Sequence, residues 1–297
     1  MTTPLSWSPG QLDWLAIWRD MYDAEKAQGE AATHPAMERT ADQYATIAQR
    51  YAANVKRTPQ PDAFMRWMST YVRPGMRVLD IGAGSGRYLA PIVAQGCRYI
   101  ALEHSAAMRA QITKEQAAFP DADVTIIDGT WPEATVPHCD LLFAAHVLYA
   151  VRDIAPFVRA MDAQARERCV VLLGARHPTT PMLPLWEAYH GEPRLPLPAA
   201  YECIAVLAQL GIAADVTVLP AVAPMTAPTR ADAIDDVCFR LRLPWDAEHR
   251  MAIGRLVDTH WLLQPDGSLV SPEHVPPHVV MSWVPSGARG LRGYMRT

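Results

Sequence analysis

The sequence predicts an α/β fold: a doubly wound, seven-stranded, mostly parallel sheet with helices on both faces. Two additions flank this plan. One is an N-terminal helical cap over residues 1–72. The other is a helical insertion over 221–277, before the last strand of a main domain spanning 73–297. Three observations predict the fold. From Arg77 onward, short apolar runs alternate with amphipathic stretches. The runs are apolar throughout, as in strands covered on both faces. Finally, Val78-Leu79-Asp80-Ile81 leads into Gly82-Ala83-Gly84-Ser85-Gly86, a buried strand, a tight glycine turn and the start of a helix.

Residues 5–30 carry Leu12, Leu15, Ile17, Trp18, Met21 and Tyr22 at amphipathic spacing, with Ser8-Pro9 near the start. A second helical pattern covers 38–56 and a third 61–71, ended by Pro74-Gly75. Tyr44 and Tyr51 can pack these helices on the main domain or face a ligand beneath them. Strands are expected at 77–81, 98–102, 123–127, 139–145, 169–174, 212–219 and 278–284. Helices fit at 87–95, 106–118, 154–165 and 199–210. Within the insertion, Thr229 can cap a helix over 230–241, and Pro244-Trp245-Asp246 begins another reaching His260-Trp261. The excursion 176–198 is rich in proline and follows the fifth strand, where ligand crevices form in such sheets.

Composition narrows the function. The chain has 297 residues, 50% hydrophobic and 20% charged, as in an ordinary globular protein with a large core. A formal charge of -4 gives no bulk reason to expect nucleic acid as a partner. Cys97, Cys139, Cys169, Cys203 and Cys238 are scattered, with no Cys-x-x-Cys pair, which argues against a disulfide scaffold or a zinc knot. His34, His260, His274 and His278 are isolated in sequence, so no metal is predicted. Met1–Gly10 shows no secretory pattern, and the longest apolar run, Leu141–Val151, is too short to span a membrane. The expectation is a cytoplasmic monomer or homodimer acting on a small molecule, with no membrane partner.

Acidic residues end the first three strands. Asp80 suits a cationic ligand better than a pyrophosphate. Glu103 can accept hydrogen bonds from two ribose hydroxyls. Asp128-Gly129 can accept from an adenine amine, with Ile127 and Trp131 flanking the ring. Together they fit a nucleoside carrying positive charge, without excluding a dinucleotide. Each has a structural alternative: a loop cap for Asp80, a helix cap for Glu103, a turn for Asp128.

Asp80 to Gly86, Glu103, Asp128-Gly129 and Cys139-Asp140-Leu141-Leu142-Phe143 resemble the class I, Rossmann-like methyltransferases that use S-adenosylmethionine. The resemblance covers about 60–220 and the strand near 278–284. It implies a seven-stranded sheet with the last strand antiparallel. It implies that Gly82, Ala83, Gly84 and Gly86 run under the methionine and ribose of the cofactor, and that Asp80 reaches its amino-acid portion. Glu103, with His104 and Met108 after it, would serve the ribose side. Asp128, Gly129, Thr130 and Trp131 would serve the adenine, and Ala144 to His146 would line the sulfonium.

Methyl transfer from a sulfonium needs alignment and dryness more than it needs a base. His146 is the leading catalytic candidate, placed to orient or deprotonate a hydroxyl or to contact the cofactor. Tyr149 and His177 follow. For all three the alternative is a packing, capping or loop role. Arg176, Trp186, Tyr189 and His190 would suit an aromatic or anionic organic substrate. The expected reaction is O- or N-directed methyl transfer to a small organic acceptor. RNA or protein methylation is the alternative, hinted at by the basic tail Arg289, Arg292 and Arg296. A non-catalytic S-adenosylmethionine-binding protein is another. An NAD-type oxidoreductase fits the glycine spacing less well.

Overall fold

A computed structural model describes residues 12–32, 42, 48–57, 61–178, 180–220, 224–244, 246–272 and 275–288. In chain order these form α1 (Trp14–Ala32), α2 (Ala48–Arg57), α3 (Ala63–Met68), β1 (Arg77–Ile81), α4 (Leu89–Val93), β2 (Arg98–Glu103) and α5 (Ala106–Gln116). Next come β3 (Val124–Asp128), β4 (Cys139–Ala145), α6 (Ile154–Gln164), β5 (Ala165–Gly174), α7 (Leu183–His190), α8 (Ala200–Gln209) and β6 (Asp215–Val218). The last are β7 (Thr226–Ala227), α9 (Arg230–Arg240), α10 (Ala247–His260), β8 (Leu262–Leu263), β9 (Leu269–Val270) and β10 (His278–Trp283). Ser8-Pro9, Tyr44 and the Arg289–Arg296 tail lie outside the described residues.

The main sheet has seven strands in the order β3-β2-β1-β4-β5-β10-β6. The pairs around β1, β2, β3, β4 and β5 are parallel, and β10 runs antiparallel to both β5 and β6. The strand order reverses at β1 and β4, so the ligand crevice of such a sheet falls at their carboxyl ends.

Successive residues of β1 bury on opposite faces. Leu79 and Ile81 join one core with Trp18, Phe157 and Cys203; Val78 joins the other with Phe64, Leu89 and Ile112. The N-terminal helices are therefore divided between the faces: α1 packs with α6 and α8, and α3 with α4 and α5. Side chains fix the helix starts where the sequence offers caps. Asp62 accepts from the Met65 amide at 2.8 Å, Ser105 from Met108 at 3.2 Å, Thr229 from Asp232 at 3.1 Å and Asp246 from His249 at 2.9 Å.

A third core joins α7, α9 and α10 through Trp186, Ile234, Val237, Ile253 and Val257, beside the small sheet β7-β9-β8. The insertion is thus helical, as expected, but it also recruits α7 from the excursion after β5. That helix escapes the sequence reading because its prolines suggest loop. Pro184 sits in its first turn, where the missing N–H has no intrahelical partner to lose. The fifth strand also starts earlier than expected, at Ala165, because the polar run Arg166-Glu167-Arg168 hides strand pairing with β4.

Trp18 is fully buried, and its indole N–H donates to the Val151 carbonyl at 2.8 Å. Replacing Trp18 with Ala should cost about 3–5 kcal/mol. Urea unfolding would check this, and a loss below about 1 kcal/mol would show that α1 contributes little to the main core.

Candidate active site

β1 ends in a turn that only glycine builds comfortably. Gly82, Gly84 and Gly86 have φ of 71°, 56° and 82°. A β-carbon on Gly82 would lie 2.7 Å from Val147 Cγ2, whereas one on Gly84 would meet nothing within 4 Å. Gly82 is therefore tight against the loop after β4, and Gly84 faces open space. The Gly82 and Ala83 amides donate to the Leu102 carbonyl at 2.8 and 3.1 Å, which joins the turn to the end of β2.

The acidic strand ends do different things. Asp80 is buried and accepts from the Tyr99 hydroxyl at 2.6 Å. Glu103 is buried and holds two amides, Gly84 N–H on Oε2 and Ser105 N–H on Oε1, both at 2.8 Å. Asp128 is exposed and pairs with Arg109 at 2.6 Å. The same Arg109 Nη1 donates to the Glu103 and His104 carbonyls at 3.0 and 2.8 Å, so one guanidinium joins the ends of β2 and β3. Sequence reading misses Arg109, because nothing in α5 separates it from a solvated surface arginine. Ala83, Met108 and Ala144 are buried. Gly129 has φ 156°, and the Thr130 hydroxyl donates to Glu133 at 3.0 Å.

Between these ends lies a cavity of about 460 Å³, lined by Gly82, Leu102, His104, Gly129, Thr130, Trp131, Val147 and Phe157 among others. Trp131 is held by its indole N–H on the Phe157 carbonyl at 3.0 Å. The outer wall, Val151 to Asp153, is gripped by α1 through Trp18, an Arg19–Asp153 pair at 2.7 Å and an Arg152–Asp23 pair at 2.7 Å.

His146 follows β4 with φ 61°, an unusual conformation for a residue with a side chain. Its amide donates to the Leu172 carbonyl at 2.8 Å, so the strand ladder holds the strained residue. Its ring lies 4.6 Å from that of His278 and is nearly parallel to Tyr149 at 6.1 Å. Tyr149 in turn meets the His177 ring at 4.7 Å. The three candidate residues are thus brought together, and His278 joins them. The antiparallel register that sets His278 opposite Gly174 delivers it to the carboxyl end of β5. Its position at the start of the last strand was the available clue. Arg87, which follows the glycine turn, pairs with Asp62 at 2.6 Å and ties α3 to this end of the site. Tyr51 on α2 is exposed, as is Arg176, while Trp186 is buried with Tyr189 and His190 around it.

Residues 79–171 match the family model described as a methyltransferase domain. Over that stretch the chain is similar to a methyltransferase domain, and its strand order is that of a Rossmann-like sheet. The domain's fold is shared with the YcgJ protein of Bacillus subtilis, at 15% identity and TM-score 0.50 over 75% of this chain and 97% of that one. A provisionally assigned methyltransferase of Bacillus halodurans C-125 is similar at 10% identity and TM-score 0.51, over 75% and 98%. No curated protein matches in sequence. Among the described residues, no group of three or more His, Cys, Asp or Glu is arranged to hold a metal, and no helix is long and apolar enough to cross a membrane.

Burial dominates the electrostatics of the candidate site. It pushes Asp80 up to about 7, with Glu103 adding to the rise and the Tyr99 hydrogen bond opposing it. It pushes His146 well below its ordinary value, helped by His278, Arg87 and His177. It lowers His177 to about 3, with Arg240, Lys26 and Arg194 adding to the fall, and His278 to about 4, with Arg87 adding. All three rings are neutral at pH 7. The His146 Nδ1 atom is buried with no hydrogen-bond partner among the described residues.

These shifts set a pH dependence of stability. Each histidine binds its proton near 6.5 when unfolded and only at lower pH when folded. Stability is therefore full above pH 6.5 and falls as the pH drops from there towards 4 for His278 and 3 for His177. Asp80 acts in the opposite sense between 7 and 3.8, one group against three. Unfolding free energy should fall between pH 6.5 and 4.5, and His278→Gln should make that fall shallower by about 1 kcal/mol per pH unit. An unchanged slope would mean that His278 is not a buried neutral imidazole.

Proposed function

We propose that the enzyme transfers the methyl group of S-adenosylmethionine to an oxygen or nitrogen of a small organic acceptor, by in-line displacement beside His146. The observation that carries this reading is the cavity lined by Gly82, Leu102, His104, Gly129, Thr130 and Trp131, together with the open space over Gly84, whose amide the Glu103 carboxylate holds. S-adenosylmethionine supplies a methyl on a positively charged sulfur whose thioether leaves readily.

The residues present suit that donor. A carboxylate has about four lone-pair sites, and Glu103 uses two on amides, so it retains capacity for two ribose hydroxyls. The turn it braces is held rigid before any ligand arrives. The adenine would occupy the cavity between Leu102 and His104 on one side and Val147 and Phe157 on another, with Thr130 and Trp131 at its edge. Asp80, once ionised, favours the cationic methionine end. Its burial makes that interaction stronger than it would be in water.

His146 is a weak base, and a weak base is sufficient. When the acceptor's lone pair bonds to the methyl carbon, the carbon–sulfur bond breaks and its electrons stay on sulfur. The methylated oxygen or nitrogen then carries positive charge and loses its proton easily. We assign to His146 Nδ1 the acceptance of that proton and, beforehand, the holding of the acceptor's O–H or N–H in line. The rings of His278, His146, Tyr149 and His177 contact one another in that order, and a site walled by such buried rings favours a small acceptor over a polymer.

Calorimetric titration with S-adenosylmethionine, S-adenosylhomocysteine and NAD should give binding by the first two. Failure of both adenosyl ligands to bind would overturn the proposal. Glu103→Ala should weaken adenosyl binding by roughly tenfold or more, because it removes ribose contacts and frees two buried amides. Affinity for S-adenosylmethionine should rise between pH 6 and pH 7.5 as Asp80 ionises around 7, and Asp80→Asn should flatten that rise. With acceptor in hand, His146→Ala should lower kcat by about 10²–10⁴ while leaving S-adenosylhomocysteine affinity unchanged. Equal losses in both would assign His146 to cofactor binding instead.

A further inference from the structure

His177 feels the charges of Lys26 and Arg194, and Arg242 joins Arg194 at α1, so three separate parts of the chain supply one group of cations. Lys26 comes from α1, Arg194 from the segment after α7, and Arg242 from the turn after α9. A β-carbon on Gly29 would lie 2.7 Å from Arg194 Nη2 and 3.1 Å from Arg242 Cζ, so two guanidinium groups close on one point of α1. Arg242 holds its place with φ 58°, a strained conformation for arginine.

Only one of the carboxylates facing the three cations, Glu25, is buried with them. Arg194 is 9% exposed, pairs with the equally buried Glu25 and lies 4.0 Å over the Trp186 ring. Among the described residues, Lys26 Nζ has no hydrogen bond or ion pair within 4 Å and lies 5.3 Å from the centre of the Tyr22 ring, and the Arg242 guanidinium has no hydrogen bond or ion pair. Glu30 and Glu192 also face these cations, but both are exposed and screened by water. Burial holds Lys26 below its ordinary pKa, and Arg242 and Arg194 reinforce that against Glu25. Beside the cations, the buried Trp186 indole N–H has no acceptor among the described residues. Like charges gathered in a half-buried place are unfavourable alone and favourable around an anion. The sequence hinted at an anionic substrate through Arg176, yet Arg176 is exposed and the relevant cations lie elsewhere.

We propose that Lys26, Arg194 and Arg242 bind an oxyanion carried by the methyl acceptor. The acceptor is then an organic acid, with its nucleophilic atom at His146 and its carboxylate or phosphate against α1. This deepens the methyl-transfer reading above and rests on it for the role of the occupant. The two guanidinium forks supply paired N–H donors, and Lys26 supplies a point charge. An uncharged acceptor would leave the cations uncompensated, so the group also selects against neutral analogues.

The test is calorimetry on the full chain with benzoate, phenyl phosphate, inorganic phosphate and the neutral control benzamide, each with and without S-adenosylhomocysteine. At least one anion should bind about tenfold or more tightly than benzamide, and Lys26→Gln and Arg242→Gln should each remove most of that preference while Arg242→Lys keeps part of it. Benzoate above phenyl phosphate assigns a carboxylate, and the reverse order a phosphate. Three results would overturn the proposal: no anion binding by a protein that still binds S-adenosylhomocysteine, equal affinity for acids and amide, or a preference unchanged in both glutamine variants. Anion preference without S-adenosylhomocysteine binding would instead sink the methyl-transfer reading and leave the anion site standing.

Discussion

Glu103 holds amides from two different parts of the site. One belongs to Gly84, in the turn after β1; the other belongs to Ser105, which caps α5. A buried carboxylate is costly unless its oxygens are satisfied, and these two hydrogen bonds are what make its burial tolerable. They also fix how far the glycine turn stands from β2. The cavity depends on that spacing, because Gly82 and Leu102 line it together. Arg109 extends the arrangement by reaching from the Glu103 and His104 carbonyls to Asp128.

The same physics made part of the site readable in advance. Strands buried on both faces leave uninterrupted apolar runs, so β1, β2, β4 and β10 stood out. An acidic residue at the end of such a run breaks the pattern and marks itself, as Asp80 and Glu103 do. Their individual partners were not readable. Tyr99 looks like another core aromatic until the register of β1 and β2 sets Asp80 beside it. Helix α7 was hidden by prolines that its first turn accommodates. Strand β5 was hidden by the charged residues of its first half.

What the sequence could not reveal is whatever depends on distant segments meeting. His278 reaches His146 only because β10 runs antiparallel to β5. Lys26, Arg194 and Arg242 converge through the packing of α1 against the insertion, and no local spacing encodes that convergence. Gly29 illustrates the point. In sequence it reads as a weak spot in a long helix; in the fold it is where two guanidinium groups have room to approach.

Helix α1 has one further consequence. At about 28 Å for its 19 residues, it is a stiff rod. Near its start Trp18, Arg19 and Asp23 hold the wall of the cavity beside the glycine turn. A turn later Glu25 and Lys26 stand among the cations beyond His177. A rod cannot swing away from one end of the site and stay seated at the other. The cavity wall and the cation group therefore share a single latch, and loosening α1 at one loosens its hold on the other.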